Sequence, residues 1–197
     1  MAIVMNGTTI PTKKGNIKFN GTEITEVICN GTSVWKVVSD PIYIVKDGVL
    51  QDTIAPNPSY QAPGHSLSYG NWLLSATDPL WGVGGHTNGS TVSVWYAKTG
   101  SINTEGASTL DISVRVACDG DAYAKNIRTI VKSGSTEIFS KNEVYDVVTN
   151  YSCLFWDRFS YSVDISKYST IEIIIESNST SSSNAWIRIG VESAVMK

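Results

Sequence analysis

Two tryptophan and arginine pairs are the residues of this sequence best suited to binding a ligand. Trp156 precedes Arg158 by two positions, and Trp186 precedes Arg188 by two positions, both in runs that alternate like β-strands. Residues two apart share one face of a strand, so each pair would point the same way. Indole rings pack on the apolar faces of sugars, and arginine donates hydrogen bonds to hydroxyls or carboxylates. If the two strands were neighbours, the four residues would form one sugar-binding patch.

An outward tryptophan also has two structural explanations. It is more commonly covered by a long loop or by a neighbouring protomer. It can instead belong to the core, if the register assigned to its strand is shifted by one residue. The sequence leaves all three interpretations of Trp156 and Trp186 open.

A second candidate lies in the irregular segment 71–91, which contains Trp72, Trp81 and His86. Its glycines would let the backbone approach a ligand closely; they are Gly82, Gly84 and Gly85. Long irregular segments of this kind often carry function. The structural alternative is that the two tryptophans plug one end of the domain while the glycines serve turns.

The sequence contains no recognisable catalytic motif. The two histidines, His65 and His86, fall in predicted loops, and no nucleophile elbow, HExxH motif or cysteine and histidine pairing is present. A glycosidase needs two carboxylates across a cleft, and the sequence cannot pair the available ones, which are Asp78, Glu137, Glu143, Asp146 and Asp157. Asp119-Gly-Asp121 lacks the rest of a calcium loop. We therefore expect a non-enzymatic protein with no catalytic residue, metal or cofactor.

Composition places these residues on an all-β chain. The 197 residues are 42% hydrophobic and only 17% charged, which favours short strands joined by polar turns over disorder. The net charge is −3 without a run of lysine or arginine, so nucleic acid is excluded as a partner. No stretch is long enough to span a membrane, so we expect no membrane partner.

The N-terminal residues and the cysteines indicate the cellular compartment in which the protein is assembled. The apolar run from Met1 to Met5 is too short for a signal peptide, and Asn6-Gly7 interrupts it. The three cysteines, Cys29, Cys118 and Cys153, are an odd set without metal or redox spacing, which favours buried thiols. We expect assembly in the cytoplasm without a signal peptide.

Alternation of apolar and polar residues predicts where the strands lie. Leu110 to Cys118 is the clearest half-buried strand, and from Cys153 to Ile165 the odd-numbered residues face one way and the even-numbered ones the other. Strands are also predicted at 171–176 and 185–194, and loops at 55–70 and 71–91. Strands at this spacing indicate an antiparallel jelly-roll or Greek-key β-sandwich.

Three Asn-Gly-Thr triplets predict a small β-meander before the sandwich. Asn-Gly between short alternating runs favours a two-residue type I′ hairpin, since both residues need positive φ. Two hairpins are clear, one turning at Asn20-Gly21 and the other at Asn30-Gly31. The polar break Ser39-Asp40-Pro41 ends this region, so we predict a hairpin attachment segment at 1–38 and a β-sandwich domain at 41–197.

The hairpin segment resembles a motif of tail, baseplate and appended structural proteins of phages and prophages of Gram-positive bacteria. The residues that carry the resemblance are Lys18, Phe19, Asn20, Gly21, Ile24, Val27, Asn30, Gly31, Val34 and Trp35. The resemblance implies a structural protein of the virion tail that is attached through residues 1–38 to other phage structural proteins. It also implies a homo-oligomer, commonly a trimer, and a sandwich that recognises a cell-surface glycan of the host.

The last strands look like those that close jelly-roll carbohydrate-binding modules. They span residues 161–176 and 184–191. This likeness supports an alternative function, a carbohydrate-binding module or small lectin of a bacterial surface or lytic system. A glycan-cleaving enzyme is a third class, which would need a deep acidic cleft and one carboxylate of raised pKa.

Overall fold

The structure, a computed structural model, divides the chain into two compact units, Met1–Pro41 and Ile42–Lys197. It describes residues 3–5, 8–10, 18–19, 22–23, 26–29, 32–36, 40–61, 67–70, 78–87, 93–119, 126–143, 157–179 and 185–197. Within these ranges the regular structure is entirely β-strand. The described residues contain no helix that is long and apolar enough to cross a membrane.

The first unit contains three antiparallel hairpins, each a separate two-stranded sheet. Their strands are β1 (Ile3–Met5) with β2 (Thr8–Ile10), β3 (Lys18–Phe19) with β4 (Thr22–Glu23), and β5 (Glu26–Cys29) with β6 (Thr32–Lys36). Phe19 pairs with Thr22, and Cys29 pairs with Thr32, which leaves two residues for each turn as the Asn-Gly signals predict. The turns themselves lie outside the described residues.

The second unit is a sandwich of two antiparallel sheets, so the prediction of an all-β sandwich is confirmed. The strands of the larger sheet are β7 (Ile42–Lys46), β8 (Val49–Leu50), β10 (Leu67–Gly70), β11 (Trp81–Thr87), β14 (Thr109–Asp119), β17 (Asp157–Asp164) and β19 (Ala185–Met196). Their order is β10, β11, β19, β14, β17, with β7 pairing with β19 and with β8. The long strand β19 thus pairs with β11 through its first part and with β7 through its last.

The smaller sheet has six strands. They are β9 (Ser59–Gln61), β12 (Ser93–Lys98), β13 (Ile102–Asn103), β15 (Asn126–Ser133), β16 (Thr136–Glu143) and β18 (Thr170–Ser179). Their order is β16, β15, β18, β12, β9, with β13 pairing with β18. Phe139 on β16 and Tyr161 on β17 contact each other with ring centroids 5.3 Å apart, which brings together one edge strand from each sheet.

Alternation decides which residues of these strands enter the core. On β14 the predicted inward residues Leu110 to Val116 are buried at every second position, and those between them are half-buried. On β17, Val163 is buried and Phe159 packs against the core, while Ser160 and Ser162 are exposed. These confirm the predicted facing of both strands.

Two predicted loops contain strands, which corrects the sequence interpretation. The segment 71–91 includes β11, and the segment 55–70 includes β9 and β10. Glycines hid β11 because they have no side chain to show alternation. Gly82 is nevertheless required in the strand, because a Cβ there would overlap the carbonyl oxygen of Ile189 and lie 2.6 Å from Cα of Gly190.

Candidate functional site

A row of three serines crosses the outer face of the larger sheet. Ser113 on β14 pairs with Ser160 on one side and with Ser193 on the other. Ile112 and Val114, on either side of Ser113 in the chain, are buried, so the serine points away from the core. Adjacent strands lie about 4.8 Å apart, so the row spans about 10 Å across three strands. Its short side chains leave a depression between Asp111 on one side and Arg115 and Arg158 on the other.

The depression is an open groove of about 370 Å³. The residues that line it are Asp111, Ile112, Ser113, Ser160, Tyr161, Ser162 and Ser193. Ser113 Oγ donates a 3.3 Å hydrogen bond to Glu192. The hydroxyls of Ser160 and Ser193 make no hydrogen bond within the described part of the chain. Two hydroxyls in the groove can therefore both donate to a ligand and accept from it.

One wall of the groove is organised by Glu192. Arg115 Nε donates to its Oε1 at 3.1 Å, and Arg158 approaches both of its oxygens at 2.8 Å. Arg115 also pairs with Asp78 at 3.4 Å. Ser113 of β14 pairs with Ser193 of β19, and the next residue, Val114, pairs with Val191. Glu192 lies between these two paired residues of β19 and is therefore the extra residue of a β-bulge. The bulge explains how one carboxylate reaches two arginines on β14 and β17.

The neighbouring arginines keep the carboxylate of Glu192 ionised. Partial burial opposes ionisation of Glu192, but hydrogen bonds and charges from Arg115, together with the charge of Arg158 and a hydrogen bond from Ser113, outweigh it and lower its pKa. The hydrogen bond to Glu192 in turn raises the pKa of Arg115. Arg115 is only 18% exposed, whereas Arg158 is 56% exposed and its remaining N–H groups are open to a ligand.

The opposite wall is built around Asp111. Its Oδ1 accepts from Ser162 Oγ at 2.7 Å, and its Oδ2 accepts from Lys197 Nζ at 2.7 Å. The hydrogen bond from Lys197, followed by the one from Ser162, lowers the pKa of Asp111. Lys197 is held by reciprocal backbone hydrogen bonds with Thr109, at 2.9 and 3.0 Å. Ion pairs fixed by the sheet therefore flank the groove on both sides, which we call its walls, and Asp111 is the charged member of these pairs that lines the groove itself.

An exposed aromatic ring lies beside this wall. Tyr43 on β7 pairs with Val195 of β19, which pairs in turn with Asp111 of β14. The ring is 40% exposed, and Lys46 Nζ lies 5.3 Å from its centroid. Tyr43 was not among the residues predicted from the sequence, because the two consecutive buried residues that follow it, Ile44 and Val45, break the alternation that would mark an outward position.

The structure brings together only part of the predicted patch. Arg158 on β17 pairs with Arg115, and Arg188 on β19 pairs with Ala117, so both arginines lie on the outer face of the larger sheet. The two strands are not neighbours, because β14 lies between them. Trp156 lies outside the described residues. For Trp186 the structure describes the backbone, which pairs with Asp119 and His86.

The second predicted group comprises Trp72, Trp81 and His86, and the structure describes only part of it. Trp81 is fully buried, and its Nε1 donates to the hydroxyl of Tyr60 at 2.9 Å. It therefore lies in the core between the two sheets, which removes it from the candidate contact residues. His86 belongs to strand β11 and not to a loop, and its side chain is outside the description. Trp72 also lies outside the described residues.

Neither a metal-binding cluster nor, at the groove, a carboxyl of raised pKa is found among the described residues. No group of three or more histidine, cysteine, aspartate and glutamate residues that could hold a metal occurs among them. A glycosidase acid needs a carboxyl of raised pKa. The two carboxylates at the groove, Asp111 and Glu192, both have a lowered pKa. The groove as described is suited to binding.

Comparison with known proteins gives structural neighbours only. No protein-family model matches the chain, and no curated protein sequence matches it. TmCBM61 in complex with β-1,4-galactotriose is 9% identical with a TM-score of 0.42, and the match covers 68% of this chain and 86% of that one. The enzymatically active domain of bacteriophage CBA120 tailspike protein 4 is 12% identical with a TM-score of 0.42, covering 76% and 21%. A Stig cyclase, Fisc, from Fischerella sp. TAU is 11% identical with a TM-score of 0.41, covering 80% and 98%. The likenesses concern the arrangement of strands and not a ligand or an activity.

Proposed function

We propose that this protein is a non-enzymatic binding protein whose sandwich unit holds a glycan in the groove of the larger sheet. The observation that carries the proposal is the serine row between two ion-paired walls. Ser160 and Ser193 offer hydroxyls without a partner in the described part of the chain, Arg158 offers N–H donors, and Asp111 offers acceptor oxygens. A sugar presents many hydroxyls that each donate and accept, so it matches this mixture.

Tyr43 supplies an apolar surface to the same site. Sugar rings have an apolar face that packs on aromatic rings. Tyr43 is exposed one strand beyond Val195, on the side of the groove opposite Ser160. A glycan lying across the strands would contact the ring while its hydroxyls bond to the serines.

The setting that we propose is the tail of a phage or prophage of Gram-positive bacteria. In this proposal the hairpin unit attaches to other phage structural proteins, the protein is a homo-oligomer assembled in the bacterial cytoplasm, and the groove recognises the host wall. The registers at Asn20-Gly21 and Asn30-Gly31 support it, since these turns carry the resemblance to tail proteins.

The second candidate is a carbohydrate-binding module or small lectin of a bacterial surface or lytic system. One observation favours it: the described groove belongs wholly to the unit Ile42–Lys197 and needs no residue of the hairpin unit. The two candidates share the groove and its ligand class and differ in what the hairpin unit contacts. Attachment of the full-length protein to isolated virion tails would distinguish the two candidates.

Binding to intact Gram-positive cells and to purified wall polysaccharides tests the shared function. Ser160→Leu fills the groove from edge strand β17, so we expect saturable binding of the labelled protein to be lost. Ser59→Leu is the matched control, because Ser59 is also an exposed serine on an edge strand, β9 of the smaller sheet. We expect this control to bind like the wild type. Equal binding by both variants would contradict the assignment of the groove.

A further inference from the structure

The charges around the groove compensate one another. In the described part of the chain, three cations and three anions form ion pairs there. The cations are Arg115, Arg158 and Lys197, and the anions are Asp78, Asp111 and Glu192. A ligand with a net charge would therefore gain no net attraction from the walls.

The groove surface itself is less balanced than its walls. Of the described residues that line it, Asp111 alone carries a charge, and that charge is negative. Arg115 directs its N–H groups to Glu192 and Asp78, and Lys197 directs its ammonium to Asp111. A ligand carboxylate on the serine row would lie near the Asp111 carboxylate, and the arginines on the other side of the row, Arg115 and Arg158, already pair with Glu192. Like charges in such proximity repel.

Asp111 stays ionised at neutral pH, because the hydrogen bond from Lys197 lowers its pKa. Its oxygens can still accept a hydrogen bond from a sugar hydroxyl, since a carboxylate has about four lone-pair sites. A ligand carboxylate group at the same point has no proton to donate to them. The hydrogen-bonding chemistry therefore favours the same ligands as the charge does.

We propose that the groove selects a short neutral glycan segment and that the Asp111 carboxylate excludes acidic sugars. This inference rests on the proposed glycan-binding function and names its ligand class. The groove volume of about 370 Å³ lies at the low end of the roughly 300–1,000 Å³ of small-ligand sites, which suits one or two sugar residues. Ser160 and Ser193, whose hydroxyls have no partner in the described part of the chain, bond to the hydroxyls of the segment.

Matched oligosaccharides test this selectivity by isothermal titration. β-1,4-Linked glucose and mannose oligosaccharides are compared with glucuronate and mannuronate oligosaccharides of the same linkage and length. We expect the better neutral compound to bind at least about tenfold more tightly than its acidic counterpart, which corresponds to about 1.4 kcal/mol. Its Kd should change less than about twofold between about 0.05 and about 0.5 M NaCl, because no net charge pairing is screened.

Asp111→Asn tests the residue that we hold responsible. It keeps an oxygen for Ser162 and removes the charge, so affinity for the acidic compound should rise severalfold. Glu172→Gln is the control, because Glu172 also pairs with a lysine, Lys98 at 2.8 Å, but on the smaller sheet. Both variants change the net charge equally, so a general charge effect would appear in both. Far-UV circular dichroism and thermal unfolding verify that each is folded.

The outcomes separate the two proposals. If the folded protein binds neither neutral nor acidic oligosaccharides, in the titrations or on a broad glycan array, the proposal of glycan binding is wrong. The inference about selectivity is then wrong as well. If the wild type prefers an acidic sugar, or if Asp111→Asn leaves the preference unchanged, glycan binding stands and the inference about Asp111 is overturned.

Discussion

The backbone N–H of Gly48 donates a 2.7 Å hydrogen bond to the carbonyl oxygen of Glu192. Gly48 lies in the turn between β7 and β8, and Glu192 is the bulged residue whose side chain holds Arg115 and Arg158. The bulge leaves the backbone of Glu192 outside the regular ladder, and this turn supplies it with a partner. The turn thus fixes the residue that organises one wall of the groove.

Gly48→Ala should destabilise the protein strongly. Gly48 has φ +73°, and a Cβ there would overlap the carbonyl group of Pro79. We expect a loss of about 2–4 kcal/mol in the free energy of unfolding, measured by urea denaturation. Gly134→Ala is the control, because Gly134 has φ +57° but nothing within 4 Å of the added carbon. It should lose only about 1 kcal/mol from the positive φ. Equal losses would show that the contact with Pro79 is unimportant.

Acid should weaken the sandwich through Asp111 and Glu192. Both have a pKa below that of the unfolded chain, so their stabilisation is complete above about pH 4–5 and is lost as pH falls through their folded values. Urea unfolding at constant ionic strength should show stability falling as pH decreases from about 5 to about 3. The slope should be smaller in Asp111→Asn and in Glu192→Gln.

The control for this pH dependence is Asp52→Asn, which replaces an exposed aspartate in a turn. The Asp52 side chain makes no hydrogen bond or ion pair within the described residues. Its substitution should leave the slope unchanged. A slope that fell equally in all three variants would point to net charge and not to the two groove carboxylates.

The two tryptophans that are buried in the described part of the chain should respond differently to substitution by phenylalanine. Trp81 Nε1 donates to Tyr60, whereas Trp95 Nε1 is buried without a hydrogen-bond partner within the described residues. Trp81→Phe removes a hydrogen bond, and Trp95→Phe removes a desolvated donor. We therefore expect Trp81→Phe to cost about 1 kcal/mol more in urea unfolding than Trp95→Phe. The reverse order would indicate that Trp95 has a partner in the folded protein, such as a buried water.

Tyr43→Ala should weaken binding without unfolding the protein. Loss of ring stacking should raise the Kd for a wall polysaccharide about fivefold to tenfold, while the free energy of unfolding changes by less than about 0.5 kcal/mol. Tyr96→Ala on the outer face of the smaller sheet is the aromatic control and should bind normally. Unchanged binding in Tyr43→Ala would remove the ring from the site.

The sequence predicted the fold correctly where the type of a residue indicates whether it is buried, exposed or in a turn. Alternation on β14 and β17 gave the correct buried faces, and Asn-Gly gave the register of two hairpins. The prediction failed at β11, where glycines carry no apolar signal, and Gly82 is needed there because a Cβ would overlap the carbonyl oxygen of Ile189.

The site depends on which strands are neighbours, which local pattern does not encode. Arg158 was predicted to point outward, and it does. The serine row exists only because β14 lies between β17 and β19, and Glu192 reaches two arginines only because of the bulge. Ser113, Ser160 and Ser193 are unremarkable outward serines until the sheet aligns them.

The bulge at Glu192 also shifts the alternation of buried and exposed residues along β19 by one position. Before it Ile189 and Val191 are buried, and after it the buried residues are Ala194 and Met196, so inward positions change from odd to even numbers. Deleting Glu192 would leave Val191 and Ala194 two positions apart, so both would still face the core, but the carboxylate that holds Arg115 and Arg158 would be lost. Loss of the extra residue should therefore be compatible with the core and not with this wall of the groove, whereas substitutions at Ser160 and Ser193, which leave the alternation intact, remain open to selection for new ligands.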